Sequence, residues 1–217
     1  LMLTVLEEGN ENLLVFAVDN ARSLSNLETC RDTIRLANVP RPELVVADAV
    51  AAAQRKSSEA GVMLMSGQPK EALVTAKEAL EAMEATGFEW GIASAKVQLG
   101  SVLYELGRVE DARLVLLDAY FTAGELGDDE VPATAARMLA GLTPGEEPYG
   151  LSWVREWYRH ARVHRKTLGL EGSPNEAELH EALVVALSLG DSEDTLEEEI
   201  RLLKQARAIR AAHGGAD

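Results

Sequence analysis

Cysteine is almost missing. Cys30 is the single one among 217 residues, so the chain forms no internal disulfide and no thiolate zinc cluster, as expected for a protein of a reducing compartment. Aromatics are only 5% of the residues, and 21 Lys and Arg face 36 Asp and Glu. The formal charge of −15 excludes nucleic-acid binding through the overall field, though not through a local patch. No apolar run exceeds the six residues from Leu13 to Val18, far short of a membrane span. The start LMLTVLEEGNEN has neither the basic flank nor the apolar stretch of a secretory signal. A cytoplasmic chain without membrane contact is the expectation. Strand-type alternation, a Gly-rich phosphate loop, a nucleophile elbow and a CxxC pair are all missing. The chain therefore reads as a non-enzyme with no cofactor and no catalytic or metal-binding set.

What is present is helix-forming. Apolar residues make up 47% of the chain, too many for disorder, and 32 Ala and 31 Leu supply nearly three residues in ten. Helices are predicted near 11–23, 26–37, 42–66, 69–86, 91–106, 109–126, 131–142, 151–168, 174–189 and 194–212; residues 13–18 also fit a short strand. Ser25-Asn26-Leu27-Glu28 and Ser173-Pro174-Asn175-Glu176 have the form of capping boxes. Pro174 suits a first helical position, where its missing amide costs nothing. Gly67, Gly87, Gly107, Gly127 and Gly190 each close an apolar-periodic run, where glycine takes the left-handed cap geometry.

Compared with itself, the sequence repeats at an offset of 40. Val62, Gly67, Ala72, Ala79 and Gly87 return as Val102, Gly107, Ala112, Ala119 and Gly127. A third, partial copy places Ala133, Ala135, Leu139 and Ala140 after Ala93, Ala95, Leu99 and Gly100; Ala60, Gly100 and Ala140 keep one small residue in phase. Periodic hairpins of this length predict an all-α solenoid of antiparallel helical hairpins with a C-terminal helical cap. Leu99-Gly100, Tyr104, Gly107, Ala112 and Ala119 resemble the tetratricopeptide repeat in an extended form of about 40 residues. Lys56 and Lys96 stand where the family's pattern has Trp, and Glu84 and Gly124 where it has Pro.

The resemblance implies a concave surface made by the first helix of each pair, which in that family holds a peptide or a partner's helix. In this register Gln54, Ser57, Ser58, Leu64 and Met65 face it from one copy, and Ser94, Gln98, Ser101, Tyr104 and Glu105 from the next. Arg137 and Met138 extend it into the third. Such a lining satisfies peptide backbone groups through Gln and Ser and offers apolar contact through Leu, Met and Tyr. The bland alternative makes the same residues ordinary packing and solvated surface.

Segment 151–166 breaks the acidic background, with +4 on one stretch against −19 on the remainder. Arg155, Arg159, Arg162 and Lys166 fall on one helix face beside a stripe of Trp153, Trp157, His160 and His164. Guanidinium next to Trp suits phosphate or nucleic-acid contact; the alternative is that the rings anchor the helix and the arginines pair with acidic neighbours. Glu156, His160 and His164, four apart, also place two imidazoles and a carboxylate on one face, a minor metal-enzyme reading without the His-Glu-x-x-His arrangement. Downstream, residues 174–189 are apolar nearly all round at Ala182–Leu187 and read as the buried centre of the C-terminal part. The last helix, acidic first (Glu193, Asp194, Glu197, Glu198, Glu199) and basic later, complements its dipole, with a Glu197–Arg201 pair at i, i+4.

The turn-rich stretch 143–150 divides an N-terminal hairpin (1–41) and repeats (42–146) from a C-terminal helical region (147–217). The expected function is a non-catalytic module binding a protein or peptide on its concave face. A start at Leu1 rather than Met fits a fragment, and so the sensor part of a larger transcriptional or signalling regulator.

Overall fold

A computed structural model of the chain describes residues 40–142, 150–188 and 196–213. The helices expected at 11–23 and 26–37, the alternative strand at 13–18, the box at Ser25, Gly190, Glu193 and Asp194 lie outside the described residues. Among the described residues there are eight helices, α1 (Ala47–Met65), α2 (Pro69–Glu84), α3 (Glu89–Glu105), α4 (Val109–Glu125), α5 (Glu130–Gly141), α6 (Leu151–Thr167), α7 (Pro174–Ser188) and α8 (Leu196–Ala212). No strand occurs among the described residues.

The turns come from backbone chemistry that the sequence shows directly. After α1, Gly67 takes φ 77° and after α3, Gly107 takes φ 70°. In the first, the Gln68 amide donates to the Met63 carbonyl at 2.9 Å and the Gly67 amide to Leu64 at 3.0 Å; Arg108 to Leu103 and Gly107 to Tyr104 repeat both bonds. This crossed pair satisfies the last free carbonyls of the helix, and only glycine adopts it without strain. A three-residue turn then sends the chain back in these two hairpins, α1 with α2 and α3 with α4; α5 with α6 and α7 with α8 pair likewise across longer connections, and the pairs stack in sequence order. The backbone of each first helix also comes close to that of the first helix of the next hairpin, whereas second helices stand further apart and meet through side chains, as α4 and α6 do at Tyr120. The stack therefore curves with α1, α3, α5 and α7 on its inner side. The fold is all-α and solenoid-like.

The core is built from small residues. Second helices bury Ala72, Ala76, Ala79 and Met83 in α2, and Ala112, Leu116, Ala119 and Ala123 in α4, forty residues apart. In α6 the same face carries Val154, Tyr158, Ala161 and Arg165, now forty-two apart from α4. The two extra residues fall between α5 and α6, which explains why a fixed offset of 40 loses the pattern after Ala140. The basic aromatic helix is thus the second helix of a third hairpin. One core runs from Ala60 through Leu139, Trp157 and Leu183 to Leu202, drawing on all eight helices. Lys56 and Lys96 make the same bridge in each copy, to Glu78 at 2.7 Å and Asp118 at 2.6 Å.

Three local expectations change. At Ser173 the hydroxyl accepts from Arg165 and the Glu176 carboxylate takes the Gly172 amide, so the capping box is replaced by a tertiary contact. Arg201 pairs with Glu198 rather than Glu197. Helix α7 buries Ala177, Leu179, Leu183 and Leu187 but leaves Val185 48% exposed, so its apolar girdle is not closed.

Candidate functional site

Besides a shallow depression of about 630 Å³ at Leu151, Ser152, Arg155, Glu156, Arg159 and His160, two concave features emerge from the described residues. The larger is a groove of about 1160 Å³ along the N-terminal halves of the first helices. Its walls include Gln54, Ser57 and Ser58 of α1, Trp90, Ser94 and Gln98 of α3, and Thr134 of α5, with Phe88 and the Gly127–Val131 stretch at the rim. Gln54, Ser94 and Thr134 occupy one position in three successive copies, because helices of equal register present the same face. The groove is floored by the small residues Gly91 and Ala95, and a Cβ on Gly91 would come 2.5 Å from Met83 Sδ.

Of the residues expected on the concave face, Gln54, Ser57, Ser58, Ser94 and Gln98 line this groove. Leu64, Met65, Ser101, Tyr104, Glu105 and Arg137 do not. Helix α5 stops at Gly141, one repeat after Ser101, so no third helix continues beside Tyr104 and Glu105. Tyr104 instead donates to the Gly141 carbonyl at 3.3 Å, and Arg137 is spent on Glu178 at 3.0 Å. Leu64 packs against the core and Met65 is exposed beyond the groove. Trp90 and Phe88, whose rings lie 6.4 Å apart, are groove residues that the repeat register did not indicate.

The second feature is a pocket of about 470 Å³ between α6, α7 and α8. It gathers Arg155, Arg159 and Arg162 from the predicted basic row and adds Arg201, Gln205, Tyr158 and His180; Lys166 points elsewhere. Arg155 bridges to Glu198 at 2.7 Å, which also holds Arg201 at 3.6 Å. Arg162 sits 5.8 Å from the Tyr158 ring centroid. Neither Arg159 nor Arg162 meets a carboxylate among the described residues. His180, only 4% exposed, shares a hydrogen bond of 2.9 Å between its Nδ1 and the Tyr158 hydroxyl. Burial pushes the imidazole below its ordinary value, so it is neutral at pH 7, and burial likewise raises the Tyr158 phenol.

The aromatic stripe of α6 is structural. Trp153 donates from Nε1 to the Leu139 carbonyl at 3.1 Å, and its ring lies 5.4 Å from Trp157, which is buried. Both histidines of the stripe meet Tyr120 of α4: its hydroxyl lies 2.9 Å from His160 Nδ1 and 3.1 Å from His164 Nε2. His164 Nδ1 in turn donates to Asp129 at 2.7 Å. Both ring nitrogens of His164 are engaged, and Glu156 stands apart from this chain of bonds. No three His, Cys, Asp or Glu side chains converge around a metal position among the described residues. The Glu156/His160/His164 arrangement is therefore replaced by a relay of hydrogen bonds that fastens α6 to α4. Sequence spacing showed the histidine face; Tyr120, forty residues away from His160, was invisible to it.

No helix of the described residues is long and apolar enough to cross a membrane. No protein-family model matches the chain, and no curated protein matches it.

Proposed function

We propose that the protein is a non-catalytic interaction module of the tetratricopeptide-like kind, holding an extended segment of a protein partner in the groove along its first helices. The observation that carries this reading is the repeated uncharged position Gln54, Ser94 and Thr134, flanked by Ser57, Ser58 and Gln98, along a groove of about 1160 Å³. Side-chain amides and hydroxyls donate and accept at intervals that suit the backbone of an extended chain. Trp90 and Phe88 at one end supply flat apolar area for a partner's side chain. The walls that α1 and α3 give the groove are uncharged, so a partner is read there by backbone and shape, while Asp128, Asp129 and Glu130 at the rim favour basic side chains at that end.

A library of displayed random peptides selected against the chain tests the proposal. Enriched peptides should lose at least about tenfold in affinity to Ser94→Arg and to Gln98→Arg, each of which places a long cation inside the groove. Tyr104→Ala, outside the groove, should leave binding unchanged. Peptides that bind the two arginine variants as tightly as the parent chain would overturn the reading.

A further inference from the structure

The pocket between α6, α7 and α8 shares no residue with the groove and has a different chemistry. It exists because the third and fourth hairpins fit loosely. Four residues join α2 to α3 and α4 to α5, but six, 168–173, join α6 to α7, and these two helices pack on each other less closely than their counterparts do. The opening is lined by hydrogen-bond donors in surplus. Four arginines stand against two glutamates, and one of those, Glu176, already accepts from the Gly172 amide. The other, Glu198, is shared by Arg155 and Arg201. Arg159 and Arg162 keep whole guanidinium forks unspent in a chain that has 36 carboxylates to offer them. Arg155 Nε has no acceptor. With the His180 Nδ1 engaged by the Tyr158 hydroxyl, its Nε2 is left without a partner among the described residues.

We propose that this pocket binds the phosphate group of a small phosphate monoester, with Arg159 and Arg162 as its main ligands and His180 Nε2 as a neutral donor. Three terminal phosphate oxygens match donors arriving from several directions, whereas a carboxylate is filled by a single fork. A volume of about 470 Å³ leaves room beyond the phosphate for a sugar-sized body. Glu176 and Glu198 on the same walls accept from the hydroxyls of that body. A polynucleotide is disfavoured, because its further phosphates would face the −19 carried outside segment 151–166.

Calorimetric titration at low ionic strength with glucose 6-phosphate, adenosine 5′-monophosphate, glucose, adenosine, succinate and single-stranded DNA tests it. The two phosphate monoesters should bind and glucose, adenosine and succinate should not; the stronger of the two esters distinguishes a sugar from a nucleotide body. Arg159→Gln with Arg162→Gln should weaken binding at least about tenfold while far-UV circular dichroism stays unchanged, since both side chains are exposed. Titration should move the ring signals of His180 in NMR spectra and leave those of His160 and His164 in place. The proposal fails if neither ester binds, if succinate binds as well as they do, if the double variant binds undiminished, or if single-stranded DNA alone binds. The groove variant Gln98→Arg should not alter any of these titrations, so the two sites are judged separately.

Discussion

An added methyl at Gly100 would sit 2.7 Å from both Cγ and Cδ2 of Leu116, closer than carbon atoms approach. Ala60 and Ala140 occupy the same position in neighbouring copies without difficulty. In the first copy the residue facing from the second helix is Ala76, forty before Leu116, and the two copies thus divide the same space differently. Gly100→Ala gains helix propensity of about 1 kcal/mol but forces the buried Leu116 aside, and overpacking of this kind costs about 1–3 kcal/mol. The expected net result is a loss of stability on urea denaturation. In a Leu116→Ala background the same change should turn neutral or stabilising, because the obstruction is gone. Additive effects of the two substitutions would show that the contact is not what keeps glycine there.

Helix α6 is held by contacts that spacing alone cannot reveal. Asp129 accepts from His164 Nδ1, and the Tyr120 hydroxyl sits between His164 Nε2 and His160 Nδ1, sharing a hydrogen bond with each. Tyr120→Phe removes the middle of this relay and strands a nitrogen on each histidine. It should lower stability by about 1–2 kcal/mol in urea unfolding, with the ring contact to Trp157 at 4.9 Å retained. A change below the scatter of such measurements would make the relay ornamental.

The same helix marks how far element-level reading of the sequence reaches. Stops at Gly67, Gly107 and Gly127 were legible because a left-handed backbone at a helix end is a local demand. The third hairpin was not, because two additional residues before α6 shift Ala119 onto Ala161 instead of Arg159. The candidate sites divide in the same way. Gln54, Ser58 and Gln98 follow from register, but Tyr104 and Glu105 share that register and leave the groove because α5 ends early. At Ser173 a tertiary partner, Arg165, overrode the local box.

At the scale of the molecule, repeat architecture and the position of the core bear oppositely on unfolding. Hairpins that touch only their neighbours can open one at a time, and a second small cluster around Val50, Ala53, Met83 and Ala95 sits at the first hairpin. Against that, one continuous core draws on every helix from α1 to α8, with Leu116, Leu139, Leu179 and Leu187 among its largest fully buried side chains. A hairpin cannot open without exposing its neighbour's face, and the apolar area between hairpins is what stabilises this alanine-rich stack. Unfolding should therefore be a single transition. Trp90 reports on the second hairpin, Trp153 and Trp157 on the third, and far-UV circular dichroism on all helices together. Urea curves followed by tryptophan fluorescence and by circular dichroism should superimpose. A fluorescence midpoint displaced from the dichroism midpoint would mean that the third hairpin and the remaining stack unfold as separate units, and that the core, continuous in space, is divided in energy.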